Sequence, residues 1–144
     1  MKKRILIADD EPHIRFAARL ALRRRGYLVE EAGSGREAFV KLREARENGV
    51  SFDLLITDVQ MSPSGGVELL DRLTEEGIRL PVLVISGYLD GRLFDELLKR
   101  RILDYLEKPL SLDDLVGRVE HILQSGEHRA ALTVAPTGAR RVSE

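Results

Sequence analysis

Five short apolar runs alternate along the chain with segments of helical periodicity, and this order limits the folds open to the sequence. The runs are nearly continuous, which is typical of strands buried on both faces. Strands that alternate with helices form a parallel sheet with right-handed crossovers. We therefore predict a doubly wound α/β domain, with a five-stranded parallel sheet and helices on both faces. The predicted strands are residues 5–8, 27–31, 54–57, 82–85 and 105–106.

The segments between the runs carry apolar residues every three to four positions, as helices packed on a sheet require. The first begins at Pro12, a residue favoured in the first turn of a helix. Ser34 and Ser111 are candidate N-caps of the second and the last helix. Glycines stand where the first three helices should end: Gly26, Gly49 and Gly77.

The apolar periodicity continues to about residue 124 and then stops. Residues 1–124 are predicted to form one domain, because 144 residues leave little room for a second. Residues 125–144 contain Pro136 and no periodic pattern, so we interpret them as a flexible tail or the start of a linker.

The composition argues against several classes of protein. The chain has no cysteine, so it has neither disulfides nor a thiolate metal site. Its net charge of −1 gives no indication of a nucleic-acid surface. No apolar run approaches the roughly 20 residues that a membrane span needs. We predict a cytoplasmic protein without direct nucleic-acid binding or membrane insertion.

Polar residues gather at the carboxyl ends of the predicted strands, where open α/β sheets bind ligands. The first strand is followed by Asp9 and Asp10, and the third by Asp58. The fourth strand is followed by Ser86 and the fifth by Lys108. Three neighbouring carboxylates repel one another unless a cation joins them, and Mg²⁺ prefers carboxylates, waters and phosphate oxygens. With an ammonium and a hydroxyl added, these groups suit a phosphoryl group.

Each of these residues also has an ordinary interpretation. An Asp-Asp pair after a strand is commonly a turn, Ser86 could cap the next helix, and Lys108 could be a solvated loop residue. His13 lies near the acidic residues, but it has no partner at metal-ligand spacing, which favours a solvated first-turn residue. The joint placement at strand ends is what favours a site.

Five sequence segments resemble those of bacterial two-component response-regulator receiver domains, and they occur in the order and at the separations typical of that family. The resemblance runs from about residue 3 to residue 123 and implies a (βα)5 flavodoxin-like fold. The segments are ILIADDE at 5–11, DLLITDVQM at 53–61, GVELL at 66–70, VISGY at 84–88 and DYLEKP at 104–109.

The resemblance implies a phosphoacceptor and a magnesium site. Asp58 would take the phosphoryl group from the phosphohistidine of a sensor kinase. Asp10 would bind Mg²⁺ directly and Asp9 mainly through water. Asp58 and the backbone carbonyl of Gln60 would be the further metal ligands.

The resemblance also implies a switch. Lys108 would pair with Asp58 before phosphorylation and with a phosphoryl oxygen afterwards. Ser86 would be the switch hydroxyl that moves toward the phosphoryl group, and Tyr105 the switch aromatic that turns inward with it. The bond between Lys108 and Pro109 would be a cis peptide bond, a geometry that X-Pro bonds adopt at little cost.

The implied partners are a sensor histidine kinase or phosphotransfer protein and a downstream output protein. A homodimer through the face of the fourth helix, fifth strand and fifth helix is a further expectation. We do not expect an ordinary enzyme, only autophosphorylation from small phosphodonors and autodephosphorylation.

Two alternatives remain open. A Mg²⁺-dependent phosphohydrolase of the haloacid-dehalogenase type would use similar residues, but it needs Asp-x-Asp on the first strand, where this chain has Asp-Asp-Glu. The chain could also be the receiver part of a longer regulator. Without a helix-turn-helix pattern, a stand-alone receiver lacking a DNA-binding output domain is our favoured expectation.

Two segments depart from the family pattern. The position four residues after Asp58, commonly proline, is Ser62, and Pro63 follows it. This change is predicted to affect phosphoryl lifetime and kinase docking. Before the fifth strand, a common Gly-Ala pair is replaced by residues 101–103, Arg-Ile-Leu, which would alter packing or exposure under the fourth helix.

Overall fold

The computed structural model describes residues 2–61 and 65–125, and in this part of the chain five strands form one parallel sheet flanked by five helices. The prediction of a doubly wound five-stranded parallel sheet is confirmed. The strands are β1 (Arg4–Ala8), β2 (Leu28–Ala32), β3 (Leu54–Asp58), β4 (Val82–Ser86) and β5 (Tyr105–Glu107). The helices are α1 (Pro12–Arg23), α2 (Gly35–Glu47), α3 (Gly66–Glu75), α4 (Gly91–Lys99) and α5 (Leu112–Gln124).

Two predictions lie outside the described residues: the effect of Ser62 and Pro63, and the tail or linker from residue 126 onward. Among the described residues, no helix combines the length and the hydrophobicity that crossing a bilayer requires.

The strand order is β2-β1-β3-β4-β5, so the sequence order reverses beside β1. All four pairings are parallel, which brings the carboxyl ends of the strands to one edge of the sheet. β2 lies one residue later than the predicted 27–31, because Leu28 pairs with Arg4 and Ala32 with Ala8. The edge that carries the carboxyl ends is therefore where the predicted site residues meet.

The core lies on both faces of the sheet, which explains the continuous apolar runs. Successive residues of a strand point to opposite faces. Ile5 and Ile7 of β1 belong to the cluster under α1 and α5, whereas Leu6 and Ala8 belong to the cluster under α2 and α3. A much smaller cluster lies under α4, and three of its described members are buried: Val59, Val84 and Leu97. We call it the α4 cluster.

The helix boundaries follow the predicted capping signals. The side chains of Ser34 and Ser111 accept hydrogen bonds from the backbone of Glu37 and Asp114, at 3.1 and 3.2 Å. The glycines after α1, α2 and α3 adopt φ values of 93°, 73° and 72°, a left-handed conformation that favours glycine.

The Arg-Ile-Leu segment at 101–103 ends α4 in an unusual way. Arg101 adopts the left-handed conformation, φ 61°, without being glycine. The turn directs Ile102 inward, where it is half-buried against both the α4 cluster and the core under α2 and α3. The departure from the family pattern therefore adds packing beneath α4.

Candidate functional site

The predicted aspartates meet at the carboxyl edge of the sheet, because β1 and β3 are paired neighbours. Asp9, Asp10 and Asp58 each offer a carboxylate oxygen, and these oxygens lie within 4.8 Å of one another. Asp9 and Asp58 are buried, and Asp10 is exposed at the rim. We refer to these three residues as the aspartate pocket.

Lys108 extends its ammonium group into the aspartate pocket. Its backbone N–H donates to the carbonyl of Ser86 at 2.8 Å, which fixes the end of β5 beside β4. Its Nζ lies 2.6 Å from Asp58 Oδ2, 2.7 Å from Glu11 Oε1 and 3.0 Å from Asp9 Oδ2. The peptide bond between Lys108 and Pro109 is cis. Burial acts to lower the pKa of Lys108, but the hydrogen bonds to the carboxylates outweigh it and hold this pKa above its usual range.

Backbone donors orient the two buried carboxylates. The N–H of Glu11 donates to Asp9 Oδ1 at 2.9 Å, and the N–H of Gln60 donates to Asp58 Oδ1 at 2.8 Å. The other oxygen of each aspartate faces Lys108. Asp9 Oδ2 is buried and, despite its proximity to the ammonium nitrogen, has no partner in hydrogen-bonding geometry. A buried carboxylate oxygen without a donor, next to two further carboxylates, fits a hard divalent cation such as Mg²⁺.

Burial raises the pKa of Asp9 above its ordinary 3.8, and the hydrogen bond from the Glu11 backbone and the contact with Lys108 offset this only in part. A carboxyl whose pKa is raised on folding contributes stability that is lost as the pH rises through its folded-state pKa. At neutral pH and without metal, the Asp9 charge therefore destabilises the fold.

We expect Asp9→Asn to be more stable than the wild type at pH 7 without metal, because the amide keeps the acceptor and removes the charge. The advantage should shrink as the pH falls from 7 through the raised pKa of Asp9, because wild-type Asp9 then takes up a proton and loses its charge. Urea unfolding of both proteins across this range, in chelator, measures the difference. A constant or growing advantage at low pH would contradict it.

Ser86 ends β4 at the carboxyl edge of the sheet, and Tyr105 begins the neighbouring strand β5. Ser86 is buried; its Oγ lies 3.0 Å from the Tyr88 carbonyl and 3.3 Å from Gln60 Oε1, and it accepts from the Tyr88 N–H at 3.2 Å. The cap of α4 is Asp90, so Ser86 does not serve as its cap. Half-buried Tyr105 contacts Phe94 of α4 edge-to-face, with ring centroids 4.9 Å apart.

Three contributors to the site escaped sequence reasoning. Glu11 contacts Lys108, although the run Asp-Asp-Glu could have suggested a third acid at the rim. Arg15 of α1 donates to the carbonyl of Asp9 at 2.6 Å and to Glu31 at 3.0 Å, fixing the turn after β1. Gly66 packs directly against the backbone of Asp58. His13 is exposed, and the group of described residues that could hold a metal ion consists of aspartates.

Residues 5–120 match the response regulator receiver domain. The chain belongs to this family. Receiver domains of this family bind Mg²⁺ at an acidic pocket, and the aspartate pocket stands at the carboxyl edge of the sheet in this member. The resemblance drawn from the five segments is thereby confirmed.

Relatives agree with this assignment. The response regulator receiver protein CpdR of Brucella abortus (strain 2308) is 35% identical over 121 residues, which cover 84% of this chain and 97% of CpdR. The transcriptional regulatory protein ZraR of Escherichia coli (strain K12) is 34% identical over 136 residues, covering 94% of this chain. The chain spans only 30% of ZraR and 47% of TrcR of Mycobacterium tuberculosis (strain ATCC 25618 / H37Rv).

Solved receiver structures share the fold. A CheY-like receiver domain protein from Methanospirillum hungatei JF-1 superposes with a TM-score of 0.79 at 26% identity, covering 90% of this chain and 99% of that one. The chemotaxis protein CheY4 of Vibrio cholerae gives a TM-score of 0.77 at 27% identity, covering 85% of this chain and all of CheY4.

Proposed function

We propose that this receiver domain accepts a phosphoryl group on Asp58 from a sensor histidine kinase or a phosphotransfer protein. The observation that carries the proposal is the position of Asp58. Its carboxylate is buried, one oxygen is held by the Gln60 N–H, and the other lies 2.6 Å from Lys108 Nζ. Such a carboxylate is oriented and has a neighbouring positive charge for the oxygens of an arriving phosphoryl group.

The proposed reaction is an in-line transfer. An Asp58 carboxylate oxygen forms a bond to phosphorus as the bond from phosphorus to the donor histidine nitrogen breaks. The histidine nitrogen keeps the bonding electrons and takes up a proton. Hydrolysis later returns the Asp58 carboxylate and inorganic phosphate. Positioning and charge neutralisation supply most of the catalysis in such transfers.

The residues that would hold Mg²⁺ are Asp9, Asp10, Asp58 and the backbone carbonyl of Gln60. When bound, the ion supplies positive charge that neutralises phosphoryl oxygens. Lys108, which contacts Asp9 and Asp58, supplies a second positive charge in the same pocket. Three carboxylates, those of Asp9, Glu11 and Asp58, contact this ammonium, and Asp10 adds a fourth carboxylate beside Asp9 and Asp58, which supports a requirement for the cation.

Phosphorylation would redirect Ser86 and Lys108. In the proposed switch the Ser86 hydroxyl leaves the Tyr88 carbonyl for a phosphoryl oxygen, and the loop after β4 follows it. Tyr105, which packs on Phe94 of α4, then turns inward. Charge-assisted hydrogen bonds contribute about 1.5–3 kcal/mol each. A shift from 1:99 to 99:1 requires about 5.5 kcal/mol, which corresponds to about two to four such contacts.

The α4, β5 and α5 face is the proposed surface for a downstream output protein, and for a phosphorylation-dependent homodimer. The domain would act on no external substrate; its chemistry would be its own phosphorylation and dephosphorylation. The haloacid-dehalogenase alternative requires turnover of a phosphate ester, and we expect none.

The test is intact mass after incubation with acetyl phosphate and Mg²⁺. We expect the wild type to gain one phosphoryl group, and expect no gain in chelator or in Asp58→Asn. The matched control is Asp53→Asn: Asp53 precedes the same strand at its opposite end, outside the aspartate pocket, and accepts a hydrogen bond from the Arg4 N–H at 2.8 Å. Failure of the folded, Mg²⁺-bound wild type to gain the group, or labelling of Asp58→Asn, would contradict the proposal.

A further inference from the structure

Glu11 directs its side chain at Lys108 instead of at its own helix. It occupies the N-cap position of α1, yet its side chain makes no capping hydrogen bond. Its Oε1 instead accepts from Lys108 Nζ at 2.7 Å, almost as short as the 2.6 Å bond to Asp58. The Glu11 side chain is 45% exposed, so this contact stands on the solvent side of the aspartate pocket.

The ammonium of Lys108 is shared. It has three hydrogens to donate, and Asp58 and Glu11 hold the two hydrogen bonds. Asp9 Oδ2 lies 3.0 Å away without a directed bond. The third hydrogen leaves room for one further acceptor, but a phosphoryl group on Asp58 adds several oxygens that attract the same ammonium away from Glu11. It also adds negative charge close to the Glu11 carboxylate, and like charges repel.

We infer that Glu11 is a positioning residue that holds Lys108 in the resting pocket and competes with the phosphoryl group for its ammonium. The inference rests on the proposed function and deepens it. Glu11 thereby slows phosphorylation of Asp58 and weakens the phosphorylated state. Release of Lys108 from Glu11 is part of the switch.

Side-chain substitutions isolate this contact, because the Glu11 N–H that orients Asp9 belongs to the backbone and is retained. Glu11→Gln keeps the length and removes the charge. Glu11→Asp keeps the charge and withdraws the carboxylate from Lys108 by one methylene. The control is Glu30→Gln, which removes one carboxylate from the edge strand β2, where Glu30 pairs with Arg4 at 2.8 Å.

Two measurements are made on the four proteins in Mg²⁺. The first is the rate of phosphoryl gain from acetyl phosphate, followed by intact mass. The second is the equilibrium affinity for trifluoroberyllate, a tetrahedral phosphoryl mimic, followed by the amide signal of Gly87. We expect Glu11→Gln to react about two- to fivefold faster and to bind the mimic tighter by a similar factor, the size expected for loss of a half-exposed ion pair.

Glu11→Asp tests whether the contact with Lys108 matters, and Glu30→Gln tests whether loss of a negative charge elsewhere has the same effect. Glu11→Asp should shift both quantities in the same direction as Glu11→Gln, and Glu30→Gln should shift neither. If Glu11→Gln shows the wild-type rate and affinity, the inference is overturned and the proposed function still stands. The same holds if Glu11→Gln differs from the wild type but Glu11→Asp does not. If no protein gains a phosphoryl group or binds the mimic, the proposed function fails and the inference fails with it.

Discussion

Replacing Lys108 with methionine is expected to lower the free energy of unfolding of the metal-free domain by about 3 kcal/mol at pH 7, the low end for breaking a buried ion pair. The Lys108 side chain is 14% exposed and is the ammonium that faces Asp58, Asp9 and Glu11. Without it, two buried carboxylates lose their positive neighbour. Urea unfolding in chelator measures the loss.

Mg²⁺ should reduce that difference, because the cation supplies the charge that the variant lacks. A ligand at 100 times its Kd stabilises a protein by about 2.7 kcal/mol, and the gain should be larger in the variant than in the wild type. The matched control is Lys99→Met, whose lysine is 71% exposed and pairs with Glu96 at 3.5 Å. Its effect should stay within about 0.5 kcal/mol. Equal losses in both variants would refute the role assigned to Lys108.

Gly66→Ala is expected to destabilise the domain by about 2–3 kcal/mol, as overpacking of a dense interior does. A Cβ on Gly66 would lie 2.4 Å from the carbonyl oxygen of Asp58 and 2.8 Å from the Cα of Val59. Both are backbone atoms, so no flexible side chain can give way. The first turn of α3 must move, and the backbone of Asp58 with it. We therefore also expect slower phosphoryl gain in this variant.

The matched substitution, Gly117→Ala, is expected to have the opposite effect on the stability of the domain. Gly117 lies within α5, where an added Cβ meets no atom within 4 Å. Gly117→Ala should therefore stabilise the domain by about 0.5–1 kcal/mol, the helix preference of alanine over glycine. Urea midpoints of the two variants should lie on opposite sides of the wild type. If both lie on the same side, the close approach at Gly66 does not govern its effect.

The sequence predicted the fold because the sheet is buried on two sides. Strands such as β1 and β3 need apolar residues for both faces, so they are short continuous runs that periodicity can find. The edge strands were located less well. In β2, the exposed Glu30 and the half-buried Glu31 interrupt the apolar run, and the predicted boundary was shifted by one residue.

The parallel sheet also explains why the sequence predicts which residues form the site. Parallel strands end at one edge, so residues that follow them, such as Asp9, Asp58 and Lys108, must be neighbours. Side-chain direction beyond the strand ends does not follow from periodicity. The contact of Glu11 with Lys108 depends on a rotamer, as does the proximity of Ser86 to the Gln60 side chain. Sequence reasoning therefore found the members of the site and missed part of their connections.

The three hydrophobic clusters differ in size, so we expect the helices of the domain to differ in the free energy that local opening requires. Two extensive clusters join the sheet to α1, α2, α3 and α5, whereas α4 contributes a single buried side chain, Leu97, and is tied to α3 through Arg100 and Asp71 at 2.7 Å. Elements with few buried contacts detach at lower free energy than the rest of a fold. We therefore expect α4 to open at lower free energy than the rest of the described fold, while the sheet that holds the aspartate pocket keeps its shape. The helix with the fewest buried side chains lies beside the pocket, and the extensively packed elements hold the residues of the pocket in place.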